Sequence, residues 1–238
     1  MGGTQTMLCV VLRANNYREA DKMLTLFSKE GGRIDALCRG CRKQGSSLQC
    51  SSDVFCCSLF GMNVQKGRYY ITQAVPKDNF FNLRKNIHAL LTGTLLLEVC
   101  EKTVMPGQEN ARLFALLVNC LYAMDHGKEP KEVLVFFTFK LLDILGLRPS
   151  LSRCAICGSR DVANRVNIGA GGLVCKNCPG EEAPQELART VGHILQTPSK
   201  AIGQLKIPME KELYSLAIRW LKDTLETEPK SLMLLNGY

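Results

Sequence analysis

Histidine is scarce in this chain: 238 residues contain only three, His88, His126 and His193. They lie far apart, on expected helices or at their ends, and each reads as a surface or packing residue. None is followed two positions later by Glu, the arrangement a zinc deaminase uses to move its proton. The lysine of a phosphate-binding loop is missing as well. Gly40-Cys41-Arg42-Lys43-Gln44-Gly45-Ser46 has the glycine spacing, but Ser46 follows the second glycine directly. Without the intervening ammonium the phosphates lose their main countercharge, which excludes nucleotide hydrolysis. No catalytic set emerges, and turnover is not expected. Long apolar runs are lacking too: Leu90 to Val99 is interrupted by Thr92, Gly93, Thr94 and Glu98, so no membrane span is expected. Met1 to Met7 lacks the basic-then-apolar order of a secretion signal.

Cysteine, by contrast, is abundant, at twelve residues. Cys154-x-x-Cys157 and Cys175-x-x-Cys178 are separated by 17 residues, the arrangement with which four thiolates close a tetrahedron around zinc. The spacer contains Gly169-Ala170-Gly171-Gly172, a hairpin turn able to carry the second pair back to the first. One structural zinc is expected. The rival readings are four reduced core cysteines, disfavoured by the surrounding Gly, Asn, Lys and Ser, and a thiol oxidoreductase. The latter needs a pair at the start of an apolar helix after a strand, and neither pair sits there. A third pair, Cys38-x-x-Cys41, has Cys50, Cys56 and Cys57 downstream, but Cys38 falls on the buried face of its strand. Its sulfur is expected to point away from Cys41, so no second metal site is inferred. Cys9, Cys56, Cys57, Cys100 and Cys120 lie in apolar segments, as buried free thiols do, and a reducing cytoplasm is expected.

Net charge is +8, with 11 Lys/Arg against 6 Asp/Glu in residues 1–80. The amino-terminal third therefore carries most of the imbalance, and a polyanion is its natural partner. The same third reads as strands: Thr6–Arg13, Lys22–Ser28, Arg33–Arg39, Val54–Val64 and Tyr69–Val75. In the third of these, Ile34, Ala36 and Cys38 alternate with Arg33, Asp35 and Arg39, a period of two that buries one face. Five short strands suggest a small closed barrel of the OB type, although an SH3-like barrel has the same pattern. From Asp78 the period becomes helical. Helices are expected from a cap at Asp78 or Asn79 to about Val104, from Glu109 to Asp125, and from Pro130 to Gly146, followed by Glu186–Gln196 and Met209–Thr227. The apolar Leu232–Leu235 is expected to pack on the body. The fold class is thus multidomain α+β. A five-stranded barrel occupies 1–78, a helical bundle 79–153 and 184–238, and a zinc module at 154–183 is inserted in that bundle.

Arg33, Arg39, Arg42 and Lys43 cluster on strand three and the loop after it, and Lys66 with Arg68 brackets the last hairpin. On an OB barrel the sheet beside these loops is where single strands of nucleic acid lie. Phe27, Phe55, Phe60, Tyr69 and Tyr70 are available either to stack on bases or to fill the barrel. The rival is a solvated charged loop on a zinc-containing protein-protein adaptor that does not bind DNA.

Taken in order, these segments resemble RecO, a family of bacterial recombination mediators. Val11-Leu12-Arg13 with Tyr17-Arg18-Glu19-Ala20-Asp21-Lys22 and Leu24-Thr25-Leu26-Phe27 is similar to the family's opening strands. Gly32-Arg33 and Arg39-Gly40-Cys41-Arg42-Lys43 follow its basic strand and loop, with Cys41 where a smaller residue is commoner. Leu145-Gly146 and Pro149, leading to Cys154 and Cys157-Gly158, match its approach to the metal motif. Gly171-Gly172-Leu173 before Cys175 and Lys230-Ser231-Leu232 fit as well, although Met233 stands where a basic residue is common. The resemblance implies binding of single- and double-stranded DNA without catalysis, with Arg13, Arg33, Arg39, Arg42, Lys43, Lys66 and Arg68 as the expected contacts. It also implies strand annealing and, with RecR, loading of recombinase onto DNA covered by single-strand-binding protein. The acidic, apolar tail of that protein would dock on the helical domain. Helix three is the expected site, with Lys131 and Lys140 flanking an apolar groove from Phe136, Phe137 and Leu141. A bacterial cytoplasmic, nucleoid-associated location follows.

Overall fold

The computed structural model describes residues 3–208, 211–225 and 227–235. Five strands, β1 (Thr4–Tyr17), β2 (Asp21–Ser28), β3 (Gly32–Cys38), β4 (Cys57–Gln65) and β5 (Arg68–Asp78), close a barrel in the order β1-β2-β3-β5-β4. β3 pairs with β5 in parallel, and β1 closes the barrel on β4. That order is the OB arrangement, so the ambiguity left by strand pattern alone is resolved. On β3 the expected alternation holds: Ile34, Ala36 and Cys38 are buried while Asp35 is exposed. They fill the barrel with Cys9, Val11, Leu24, Leu26, Phe60 and Met62. The β4–β5 hairpin turns on two residues with positive φ, Lys66 (50°) and Gly67 (74°), as a right-twisted two-residue hairpin requires.

The outward side of β1 and β2 is covered. Val10, Leu12 and Phe27 belong to the same apolar core as the helices, and the Phe27 ring meets Phe114 edge-on at 5.4 Å. At the join Gly32 has φ +63°, and a Cβ there would lie 2.3 Å from the Met105 carbonyl oxygen. Only glycine fits so close an approach.

The helical body consists of α1 (Ile87–Thr103), α2 (Ala111–Asp125), α3 (Pro130–Ile144), α4 (Leu187–Gln196), α5 (Lys211–Leu225) and α6 (Lys230–Leu235). α1 starts later than the periodicity predicts. Phe80 has φ +44° and a 3-10 turn covers Phe81–Lys85, so the true cap is Asn86, whose side chain accepts from His88 N and Ala89 N. Phe80 and Leu83 are buried in the core from that turn, which is why they mimic a helical repeat. Asn110 caps α2, and Pro130 opens α3 as expected. Met209, expected to begin the fifth helix, lies outside the described residues. Between α3 and α4 the chain forms a small sheet of β6 (Arg165–Asn167), β7 (Gly172–Val174) and β8 (Glu181–Glu182), in the order β7-β6-β8. The glycine-rich turn joins β6 to β7, as its sequence predicts.

The carboxyl-terminal α6 is tied to α1 by one carboxylate. Glu98 accepts from Lys230 N (3.0 Å), Ser231 N (2.9 Å) and Ser231 Oγ (2.6 Å), while Leu232 is fully buried. Burial alone would raise the Glu98 carboxyl, but the Ser231 and Lys230 donors, helped by Lys102, outweigh it and hold it below its ordinary value. A depressed folded value contributes stability above the unfolded pKa of about 4.3, and that contribution disappears as pH falls through the folded value. Glu98→Ala should weaken α6 docking by about 1.5–3 kcal/mol, the range for hydrogen bonds to a charged group. Hydrogen exchange of the Ser231 and Leu232 amides reads this directly. The wild type should show the same loosening only in acid, below the normal carboxylate range.

Candidate functional site

Cationic side chains gather along one flank of the barrel. The β1–β2 turn and the loop leaving β3 are pinned together. Gly40 N donates to Asp21 Oδ1 (2.8 Å), Arg42 N to Ala20 O (3.0 Å), and the Arg42 guanidinium to Glu19 O (2.9 Å) and Arg18 O (3.3 Å). Arg39 lies over the Tyr70 ring at 4.8 Å and Arg18 over Tyr17 at 5.4 Å. Arg68 and Tyr70 are two apart on β5 and so share a face of it. The hairpin residue Lys66 extends the line by one turn. Arg18, Arg39, Arg42, Lys43, Lys66 and Arg68 are all exposed, and among the described residues none of them forms an ion pair with a carboxylate. Sequence reasoning missed Arg18 and Tyr17. Their signal is the turn between two strands, where a positive φ at Arg18 (55°) projects the side chain outward.

Arg13 and Arg33 do not join this strip. Arg13 pairs with Glu101 at 2.9 Å, and Arg33 donates to the Glu101 carbonyl at 3.3 Å. Both point toward α1, because the barrel side from which they project is the one that meets the helices. The aromatic set divides in the same way. Phe27, Phe55 and Phe60 are buried, leaving Tyr69 and Tyr70 half-buried at the surface.

The expected groove on α3 is absent. Phe136, Phe137 and Leu141 are each 0% exposed, since α3 is the central helix, packed by α1, α2, α4 and α5. The two lysines part company. Lys131 sits over the Tyr214 ring at 5.7 Å, whereas Lys140 donates to Leu195 O at 2.8 Å. Lys140 instead borders a cavity of about 330 Å³ whose apolar wall includes Ala115, Leu116 and Ile144, with Arg112 on its rim. Asp143 pairs with Arg112 (2.9 Å) and with Arg148 (3.5 Å), which leaves three cations around one carboxylate. Burial, with Arg112 and Arg148 nearby, holds the Lys140 ammonium below its ordinary value despite the opposing pull of Asp143.

The four cysteines converge as their spacing requires. The sulfurs of Cys154, Cys157, Cys175 and Cys178 all lie within 4.8 Å of one another, and Cys157 Sγ is 3.7 Å from Cys175 Sγ. A tetrahedron with ~2.3 Å metal–sulfur bonds has edges of about 3.8 Å, so the donor set fits one ion. The backbone N–H of Cys157 points at Cys154 Sγ and, with the amides of Cys175 and Ile156, outweighs burial and lowers that thiol to about 6. Outside the ligands, Arg165 donates to Lys176 O (3.3 Å), Cys178 O (3.0 Å) and Gly180 O, which fixes the second cysteine turn. Cys38 and Cys41 depart from expectation, for Cys41 Sγ donates to Cys38 O (3.2 Å) and the two thiols interact. The left-handed turn at Gly40 (φ 63°) folds Cys41 back under the strand. Both are buried, and among the described residues the only group of three or more potential ligands is the four-cysteine cluster.

An OB-type barrel with a cationic flank, closed onto a helical body that carries a four-cysteine knuckle, defines the class: a multidomain α+β protein with one cluster of four thiols able to hold a metal ion. Family models narrow this. One described as "Recombination protein O N terminal" matches residues 2–80, and one described as "Recombination protein O C terminal" matches residues 84–233. The chain belongs to the RecO family. It is 36% identical over 172 residues to a DNA repair protein RecO of Alkaliphilus metalliredigens, covering 71% of this chain and 70% of that one. A DNA repair protein RecO of Roseiflexus is 29% identical over 95% of this chain and 83% of its own length. One of Caldicellulosiruptor saccharolyticus is 28% identical over 94% of both. Among the described residues, no helix is long and apolar enough to cross a membrane.

Proposed function

We propose that this protein is a non-enzymatic mediator of DNA repair and recombination. It binds single- and double-stranded DNA on the barrel flank, anneals complementary strands, and with RecR helps load recombinase onto DNA covered by single-strand-binding protein. The observation that carries this reading is the strip of exposed cations with no carboxylate partner among the described residues, beside Tyr17 and Tyr70. Annealing requires a surface that neutralises two phosphate backbones and leaves base edges free to pair. A strip of exposed cations does this without reading sequence, and it works in a bacterial cytoplasm beside the nucleoid. Zinc is the ion that suits four thiolates, and it holds the knuckle in shape without taking part in binding.

The acidic, apolar tail of single-strand-binding protein is reassigned from the buried face of α3 to the cavity between α2 and α3. Its apolar residues would lie against Ala115 and Ile144 and its carboxylates against Arg112 and Lys140. Annealing assays on naked and on precoated DNA test both parts of the proposal. The wild type should anneal both. Arg112→Ala with Lys140→Ala should slow annealing of precoated strands about tenfold, the effect of losing ~1.4 kcal/mol of docking energy, while naked strands anneal normally. A wild type that anneals neither substrate would sink the mediator reading. Equal behaviour of variant and wild type on precoated DNA would remove the tail from this cavity.

A further inference from the structure

A second surface carries aromatic rings that the fold leaves uncovered. Phe81 is 57% exposed and Tyr122 is 51% exposed, although most other large aromatics in the chain are buried. Both rings are held in place. Lys85 Nζ lies 5.3 Å from the centre of the Phe81 ring, and His126 stacks on Tyr122 at 3.9 Å with 26° between planes. The two are joined through Asp125, which accepts from Asn82 N (2.7 Å), Asn82 Nδ2 (3.2 Å) and Leu83 N (3.3 Å). This contact lands the Phe81–Lys85 turn on the last turn of α2, within one helical turn of Tyr122.

The same contact sets the charge of the surface. Asp125 faces the turn's amides, not solvent, and its side chain is only 9% exposed. Asp78, just before the turn, accepts from Phe80 N at 2.9 Å. Glu132 is paired with Lys128 and also accepts from Ile207 N, which leaves Glu129 as the exposed carboxylate on the loop beyond Gly127. Against these stand Arg84, Lys85 and Lys77, none of which has a carboxylate partner among the described residues. Arg84 lies over the Phe55 ring and donates to the carbonyls of Val54 and Asn79, so its charge is fixed in position yet not neutralised.

Exposed aromatic residues beside uncompensated cations have the chemistry that single-stranded nucleic acid recognises: bases stack on the rings and phosphates pair with the cations. A peptide of acidic residues alone would use the cations and leave the rings idle. A duplex keeps its bases inside and likewise has no use for them. The surface also stands in a defined relation to the barrel strip. β5 carries Tyr70, which lies under Arg39, and ends at Asp78, three residues ahead of Phe81. At ~3.3 Å per residue, the stretch of β5 from Tyr70 to Asp78 runs about 26 Å along the strand.

We propose that Phe81, Lys85 and Tyr122, with Arg84 beside them, form a second binding site for single-stranded nucleic acid, which engages a segment the barrel strip does not hold. The inference deepens the mediator reading and rests on it, since a strand must first be captured on the barrel. One chain then grips two segments, and the intervening bases are kept extended for pairing.

The test compares full-length protein with a Phe81→Ala/Tyr122→Ala variant on two oligothymidylates. The shorter, at about 8 nucleotides, fits within the range a single OB fold covers, and the longer, at about 25, exceeds it. The variant should bind the longer one more weakly by about tenfold or more, consistent with the loss of stacked bases, and the shorter one within about twofold of wild type. Lys85→Glu, which keeps both rings and the core but removes the cation over Phe81, should also weaken the longer oligonucleotide selectively, so a folding defect in the double variant does not decide the outcome. Photocrosslinking of the longer strand to wild type should label the peptides containing Phe81 and Tyr122. Unchanged affinity for the longer strand in both variants, with no label at these peptides, overturns the second site and leaves the barrel site standing. A variant that loses polyglutamate binding while keeping the longer oligonucleotide makes the surface a peptide dock and also overturns it. A wild type that binds neither oligonucleotide overturns the mediator reading and this site together.

Discussion

Arg39→Ala, Arg42→Ala and Lys43→Ala in one chain should lower single-stranded DNA affinity by about a hundredfold at 0.1 M salt. The estimate follows from counterion release. If five phosphates are neutralised, log K falls with log salt at a slope of about −3.5, and removing three contacts leaves about −1.4. The lost slope of ~2.1, carried from a salt near 1 M where the term vanishes down to 0.1 M, is about two powers of ten. A titration from 50 to 500 mM salt gives both slopes. If the triple variant keeps the wild-type slope, the strip is not where phosphate is bound. The three residues do not act alike. Arg42 also bridges to the carbonyls of Arg18 and Glu19, so its loss loosens the β1–β2 turn as well as deleting a charge. Arg39→Ala with Lys43→Ala therefore isolates the electrostatic part. Arg13→Ala should leave the slope unchanged, because its guanidinium already pairs with Glu101.

Cys175→Ser should unfold the knuckle and leave the barrel intact. The module's own apolar interior is small: Cys154, Val174 and Cys175 are its buried members, packed by Ala155 and Cys178. Such a cluster cannot offset the chain entropy of some thirty ordered residues, each of which loses about 1–2 kcal/mol of backbone freedom. Structural zinc in comparable peptides supplies an apparent ~10–16 kcal/mol, and here that term would hold the segment together. The expected result is loss of stoichiometric zinc and of amide protection in β6 and β7, with barrel amides and DNA affinity preserved. Chelation of the wild type should reproduce it. Persistent protection of β7 without metal would show that packing of Val166 and Leu173 on the main core suffices. Loss of DNA binding by a mutant whose barrel is still folded would mean that the knuckle itself touches DNA.

Among the features read from sequence, those that survived are the ones that depend on spacing along the chain. Two Cys-x-x-Cys turns and a glycine hairpin bring four sulfurs together wherever the module sits. Alternation on β3 sorts its residues into two faces, and Pro130 and Gly146 bound a helix. Each is decided within a few residues, by backbone conformation and by side-chain direction, so local chemistry is enough. The late start of α1 marks the edge of this regime. Phe80 and Leu83 have the helical period, but Asp125, more than forty residues away, accepts the amides of Asn82 and Leu83 and favours a 3-10 turn.

The sequence by itself determined a small five-stranded barrel, a helical body with an inserted four-cysteine module, and a cationic amino-terminal third. Only the tertiary structure decided which faces are free. Arg13 and Arg33 have the same chemistry as Arg39, yet they turn to α1. Phe136, Phe137 and Leu141 have an amphipathic helix's spacing, yet the neighbouring helices leave them no solvent. Phe81 and Tyr122, unremarked in the sequence, remain outside. The physical reason is the same in each case. A residue's pattern fixes which side of its own element it occupies, but whether that side meets water or another element depends on contacts made across the whole chain.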